Sequence, residues 1–396
     1  MKKQPFFLVV LAAVLLLWLS ACSSADDSTD SSQLRESIEP VAFGQQVLLD
    51  GGLGGAAHTR AEGEIGNTEA LSLSEGFGVF ACHTGRYHYG ASDACPDFMY
   101  NQQVSYLDGY NVWVYSPVKY WPQGNDLDDT RYVSFFAYAP YSNGDSSDAD
   151  GNPEGYCIPQ FSDPSAVGNP YLMYRLHSDP AKQVDLLIAP PLVDMSKPSK
   201  TSDKLKFQFR HALATVGDEV KIQASDELKA LLNSLVDGTA VTSVSLRLTL
   251  VNIDYHLTER GQLSLWNNGT PQWRTFITEQ ILTTRSVSLL SAGNEEVYRY
   301  NGAASASPFS TTDLGVFYIP AHQTGYEQTA AVTVGYNIVT TGPGGSTIPV
   351  TVSGSLVLSD FDAYAPGKKL GLNLFLYVNR LVIGALGVTV APWVAD

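Results

Sequence analysis

Ser243-Val244-Ser245-Leu246-Arg247-Leu248-Thr249-Leu250 carries the decisive pattern: Val244, Leu246, Leu248 and Leu250 recur at every second position, with polar residues between them. A period of two places all four apolar side chains on one face of an extended chain, so the stretch reads as a strand with one buried face. The pattern returns in Val332-Val334-Tyr336-Ile338 and again in Val350-Val352 with Leu356-Leu358. Between these two lies Gly342-Pro343-Gly344-Gly345, a turn that makes them a hairpin. Leu205-Phe207-Phe209, Leu372-Leu374-Leu376-Val378 and Val382 to Val390 complete a set of at least six strands in the second half. Turns rather than regular helices separate them, which points to an antiparallel sandwich and not a parallel sheet. One helix is expected: Ser225 can cap a segment whose Leu228, Leu231, Leu232 and Leu235 fall on one face.

The first half has the same character with less regularity. Leu71 to Phe80, Gln103 to Tyr106, Val112 to Tyr115, Val133 to Tyr138 and Val184 to Ala189 read as strands, joined by loops rich in Asp, Gly, Asn and Pro. The longest loop, Ser142 to Pro170, is expected to be exposed and mobile. A polar linker, Lys197-Pro198-Ser199-Lys200-Thr201-Ser202, marks a boundary between two strand-rich regions.

Composition agrees with β structure. Tyrosine (21) and phenylalanine (16) are plentiful, glycine (34) and proline (21) punctuate the chain, and only 16% of residues are charged. Forty acids against 24 bases leave a net charge of −16, and no basic cluster appears, so a nucleic-acid partner is disfavoured.

The amino terminus is an address. Lys2 and Lys3 precede an apolar run from Phe6 to Leu19, which is shorter than the roughly 18 residues a spanning helix needs. The run ends in Leu19-Ser20-Ala21-Cys22, small residues before a cysteine, which is the pattern of a lipoprotein signal peptide lipidated at Cys22. Residues 23 to 33 are polar and acidic with nothing apolar larger than alanine, a composition for a disordered tether. The remaining cysteines, Cys82, Cys95 and Cys157, then lie in an oxidising compartment. Cys82 and Cys95 bracket a short loop, so a disulfide between them is the economical pairing, although the three residues allow others. Cys82, His83, His88 and Cys95 match no common zinc-finger spacing, and a structural loop is expected there.

Catalytic signatures are missing: no Gly-x-Ser-x-Gly elbow, His-Glu-x-x-His helix or phosphate-binding glycine loop is present. No catalytic residue, metal or cofactor is therefore assigned, and an enzyme is not expected. His211 reads as a core histidine with a hydrogen-bond partner, and Ser146 to Gly151 as a solvated loop and not a calcium site. Trp113, Trp121, Trp266 and Trp273 support an alternative from another class, a surface lipoprotein that stacks glycans on an exposed row of rings.

Several blocks carry a family resemblance. They are Phe77-Gly78-Val79-Phe80-Ala81, Met99 to Val104, Trp113 with Tyr115-Ser116-Pro117-Val118-Lys119-Tyr120-Trp121-Pro122, Val133 to Tyr141, Val184 to Ala189 and Phe207 to Ala214. In order and spacing the chain resembles the fimbrillin-like, Mfa-like lipoproteins of Bacteroides and its relatives, subunits of type V pili. The resemblance implies an all-β fold of two tandem antiparallel transthyretin-like Greek-key sandwiches and a role as a structural pilin in adhesion. It further implies a lipid-anchored precursor at the outer membrane and a trypsin-like protease that cuts after an arginine, removing the lipidated segment with its first strand. Another fimbrillin subunit would then refill the groove, forming a cell-surface fimbrium.

The residues fit that scheme. Pro40 to Leu49 is an apolar strand candidate, and the glycine-rich stretch after it, Asp50 to Arg60, is open to a protease at Arg60, with Arg35 a rival site. The expected parts are therefore a signal peptide (1–21), a lipidated propeptide (22–60), and sandwiches at 61–200 and 201–396. At the far end, either Val382 to Trp393 is itself donated or the subunit accepts without donating.

Overall fold

A computed structural model describes residues 39–43, 76–90, 93–107, 109–110, 112–124, 130–144, 157–158, 160–177, 183–200, 203–258, 260–274, 282–290, 294–311, 317–320, 327–361 and 364–385. In chain order its first strands are β1 (Phe77–Gly85), β2 (Met99–Leu107), β3 (Val112–Val114), β4 (Tyr132–Ala139), β5 (Gln160–Phe161), β6 (Tyr171–Arg175), β7 (Leu187–Ile188), β8 (Leu192–Met195) and β9 (Arg210–His211). There follow β10 (Ala214–Ala224), helix α1 (Asp226–Ser234), β11 (Ser243–Thr258), β12 (Arg260–Ser264), β13 (Gln272–Arg274), β14 (Leu282–Ser288), β15 (Glu295–Tyr300) and β16 (Ala304–Ala306). The last are β17 (Phe309–Thr311), β18 (Phe317–Ile319), β19 (Thr329–Thr341), β20 (Thr347–Val357), β21 (Lys369–Leu376) and β22 (Leu381–Ala385). The chain is thus all-β, with a single α-helix among the described residues.

Strands β10 to β22, apart from β12 and β13, build a sandwich. One sheet runs β17-β10-β21-β22 with β18 also on β10; the other runs β16-β15-β11-β19-β20 with β14 also on β11. Pairing is antiparallel except for β10 with β21, which are parallel. Leu370, Leu372, Leu374 and Leu376 of β21 face Val332, Val334, Tyr336 and Ile338 of β19 across one core, as the alternation anticipates. The described part of the carboxy-terminal stretch, β22, is hydrogen-bonded to β21. Residues beyond 385 lie outside the described residues.

The decisive strand departs from its simple pattern at one point. Val244, Leu246 and Leu248 are fully buried, but Leu250 is 38% exposed. The register with β19 shifts between Leu248 and Leu250, a bulge that inserts one residue and flips the side-chain phase. Burial resumes on the odd positions Val251, Ile253, Tyr255 and Leu257. Opposite the bulge stands Gly335, where a Cβ would come within 3.0 Å of the Thr249 hydroxyl and 3.1 Å of Leu250 Cβ. The helix is capped as read, Ser225 Oγ accepting from the Leu228 amide at 3.1 Å. Of the four leucines expected on one face, Leu228 and Leu232 are buried, whereas Leu231 and Leu235, the latter just past the helix end, are exposed.

The first half is built in three layers. Its central sheet runs β3-β2-β1-β4-β7-β9, with β8 also paired to β4. β1 and β4 are buried on both faces, which explains why Phe135-Phe136-Ala137-Tyr138 shows no apolar-polar alternation. Phe80, Cys82, Phe136 and Tyr138 face one core shared with Phe161, Leu172, Tyr174, Leu263 and Leu265. Phe77, Val79, Ala81, Val133, Phe135 and Ala137 face the opposite core, with Trp113, Trp121, Phe207 and Phe209.

Two expectations need correction. The sheets do not divide near residue 200: β9 belongs to the central sheet, and β12 and β13, from the second half, form a four-stranded sheet β13-β12-β6-β5 with strands of the first. The Trp273 indole N–H donates to the Ala212 carbonyl at 3.1 Å, and the Asn267 amide donates to the Ala189 carbonyl at 3.1 Å, pinning that hairpin in place. A polar linker marks a change of composition, whereas the boundary is drawn by which apolar faces need cover. The 142–170 loop is likewise not wholly exposed, since Cys157, Ile158 and Phe161 are buried under the central sheet.

Candidate functional site

Residues 39–43, the described part of the first strand candidate, lie in a slot. Pro40 bridges antiparallel to Tyr120, and Phe43 bridges parallel to Leu205. The Val41 amide donates to the Lys119 carbonyl at 2.9 Å, and the Trp121 amide donates to the Glu39 carbonyl at 3.0 Å. On the other side the Leu205 amide donates to the Ala42 carbonyl at 2.9 Å. Segments some 80 residues apart in sequence therefore flank one short extended segment on both sides, through isolated bridges outside the named strands.

Side chains follow the same logic. Val41 and Phe43 alternate inward and are each 2% exposed. The Phe43 ring meets Phe77 edge-on at 5.9 Å and Tyr115 at 5.4 Å, and stacks on Phe207 at 6.0 Å. Burying two such side chains contributes about 1.5–3 kcal/mol each. The Tyr115 hydroxyl donates to the Val41 carbonyl at 2.8 Å, with the Lys119 carbonyl as a second acceptor at 3.1 Å, and it accepts from the Lys119 amide at 3.2 Å. Burial pushes the Tyr115 phenol up to about 12, so it remains a proton donor at neutral pH.

Withdrawal of 39–43 would leave the amides of Trp121 and Leu205 and the carbonyl of Lys119 facing an apolar trench. The apolar character of Pro40-Val41-Ala42-Phe43 was legible; that it is held by isolated bridges, with Leu205, Phe207 and Tyr115 as its walls, was not, because nothing local reports long-range pairing.

The other sequence-derived residues are dispersed. Cys22, Arg35 and Arg60, the lipidation and processing candidates, lie outside the described residues, as do 44–49. Cys82 and Cys95 are not bonded to one another, so the Cys82–Cys95 bridge is not formed in this structure. Burial, with Asp97 and Cys95 adding to it, pushes the Cys82 thiol up to about 12. His211 Nδ1 lies 3.1 Å from Oδ1 of the buried Asp185. Of the tryptophans weighed for glycan stacking, Trp113 and Trp121 belong to the core; Trp266 is 40% exposed and stacks on Tyr89 at 5.2 Å. Half of the proposed row is therefore unavailable to a sugar.

The architecture is that of an all-β sandwich protein in which residues 39–43 bridge two segments remote in sequence over one core. A fimbrillin-like family model matches residues 59–393, and the chain belongs to the fimbrillin-like family, whose members are structural subunits of cell-surface fimbriae and not enzymes. The chain is 23% identical over 348 residues to fimbrium subunit Fim1C of Phocaeicola vulgatus, covering 84% of this chain and 86% of that one. Its fold is similar to the crystal structure of a fimbrial protein from Bacteroides vulgatus, with a TM-score of 0.57 at 20% identity over 81% of this chain and 94% of the other.

Proposed function

We propose that this protein is a fimbrial subunit exported as a lipoprotein through Cys22, cut after Arg60, and joined to other fimbrillin subunits by strand exchange into the slot that residues 39–43 fill. The observation that carries the reading is the two-sided pairing of 39–43 between residues 119–121 and Leu205, with Val41 and Phe43 in the core. A removable strand must be both deeply seated and upstream of a cut. Residues 39–43 precede Arg60, and the family match spans residues 59–393.

The two candidate cuts would have different consequences. Cleavage after Arg35 leaves 39–43 attached and the slot filled, whereas cleavage after Arg60 severs the strand from the body it completes. Lipid at Cys22 would hold the precursor at the outer membrane until then. The discriminating experiment is Arg60→Ala in cells. The variant should keep its lipid and stay out of fimbriae, while the wild type shows a mature amino terminus at Ala61. Fimbriae that incorporate the Arg60→Ala protein with its tether attached would sink this reading.

A further inference from the structure

We propose that the slot is selective as well as receptive: it takes an extended strand of another subunit that carries a β-branched residue and, two positions later, an aromatic ring. This rests on the strand-acceptance reading above and adds the chemistry of the partner to it.

The aromatic requirement comes from the walls around Phe43. Phe77 and Tyr115 present edges to its ring, with interplanar angles of 89° and 67°, and Phe207 lies nearly parallel at 24°. An edge-to-face or stacked partner is favoured over the same apolar area by about two- to twelvefold per contact. An aliphatic side chain leaves part of this box unfilled, and alanine leaves most of it empty. Phe77 is itself held by Trp113 at 5.0 Å and Phe209 at 5.5 Å, so the box cannot collapse around a smaller guest without disturbing the core behind it.

Polarity and register are read by the backbone. The amide of the β-branched residue must reach the Lys119 carbonyl, the carbonyl two residues earlier must meet the Trp121 amide, and the carbonyl one residue later must meet the Leu205 amide. Those demands fix a strand antiparallel to 119–121 and parallel at Leu205. The Tyr115 hydroxyl adds a fourth contact, to the carbonyl of the β-branched residue at 2.8 Å. A strand inserted backwards places its amides and carbonyls out of step with all four.

The test uses protein cut after Arg60, with loss of the amino-terminal fragment verified by mass, and fluorescein-labelled peptides of the sequence Ile-Glu-Pro-Val-Ala-Phe-Gly, residues 38 to 44. Binding is read by anisotropy. The native peptide and its Phe43→Trp and Phe43→Tyr forms should bind within about tenfold of one another. Phe43→Leu should be weaker, Phe43→Ala weaker by at least about thirtyfold, and the reversed sequence should fail. Tyr115→Phe in the protein, which removes only a hydroxyl, should weaken the native peptide by about two- to twelvefold. Equal binding of the leucine, alanine or reversed peptide overturns the selectivity while leaving strand acceptance intact. Failure of every peptide, the native one included, on protein shown to lack residues 39–43 overturns strand acceptance itself.

Discussion

Truncation of Phe43 to alanine in the uncut protein tests the seating of the first strand directly. The side chain is 2% exposed and contacts three aromatic rings. Removing it forfeits the transfer free energy of the ring and leaves a cavity that Phe77 and Phe207 fill only in part, a loss of about 3–5 kcal/mol. Because the segment is short and held by few hydrogen bonds, that loss falls first on local opening of 39–43 and not on unfolding of the whole. At 1.4 kcal/mol per factor of ten, protection against hydrogen exchange should drop by about two to four decades at the amides of Val41, Trp121 and Leu205. Those three amides donate to partners across the slot. Amides of β19, in the other core, should keep their protection within about twofold. Native-state exchange read by mass spectrometry or NMR decides the matter. If the three amides of Phe43→Ala exchange within threefold of the wild type, the strand is not held by that ring and the slot is misread.

Two further outcomes follow from the cores. Gly335→Ala brings a Cβ to 3.0 Å from the Thr249 hydroxyl and 3.1 Å from Leu250 Cβ, and should destabilise the carboxy-terminal sandwich by about 1–2 kcal/mol in urea unfolding. Gly90→Ala, with no neighbour within 4 Å, is the control and should be nearly neutral. Cys82 should resist alkylation at pH 8 relative to Cys95, since burial keeps its thiol protonated; an equal rate would refute the burial, and a Cys95 that labels only after reduction would reveal a bridge. The folded-state value of about 12 lies above the ordinary 9.0, so the folded form holds the proton more tightly than the unfolded. Stability is therefore unaffected below pH 9 and falls as pH rises from there toward 12.

How far each element was legible depended on what its residues face. β11 and β19 read directly because each has one buried and one solvated face, so hydrophobicity alternates along the chain. The bulge at Thr249 did not read, since a leucine at 250 looks the same whether the phase has flipped or not. β4 read as a strand by composition alone, because cover on both faces erases alternation. The helix cap read from a local contact between Ser225 and Leu228.

The slot sits at the limit of that logic. The sequence by itself determined the all-β class, the apolar character of Pro40 to Phe43, the aromatic blocks that carry the family resemblance and the absence of a catalytic signature, because these depend on neighbours in the chain. Only the tertiary structure decided that Tyr120 and Leu205 flank the first strand, that Tyr115 and Phe207 wall in Phe43, and that β12 and β13 complete a sheet of the other half. Hydrogen-bond ladders and packed rings join whatever the folded chain brings within a few ångströms, and separation along the sequence leaves no local trace of that choice.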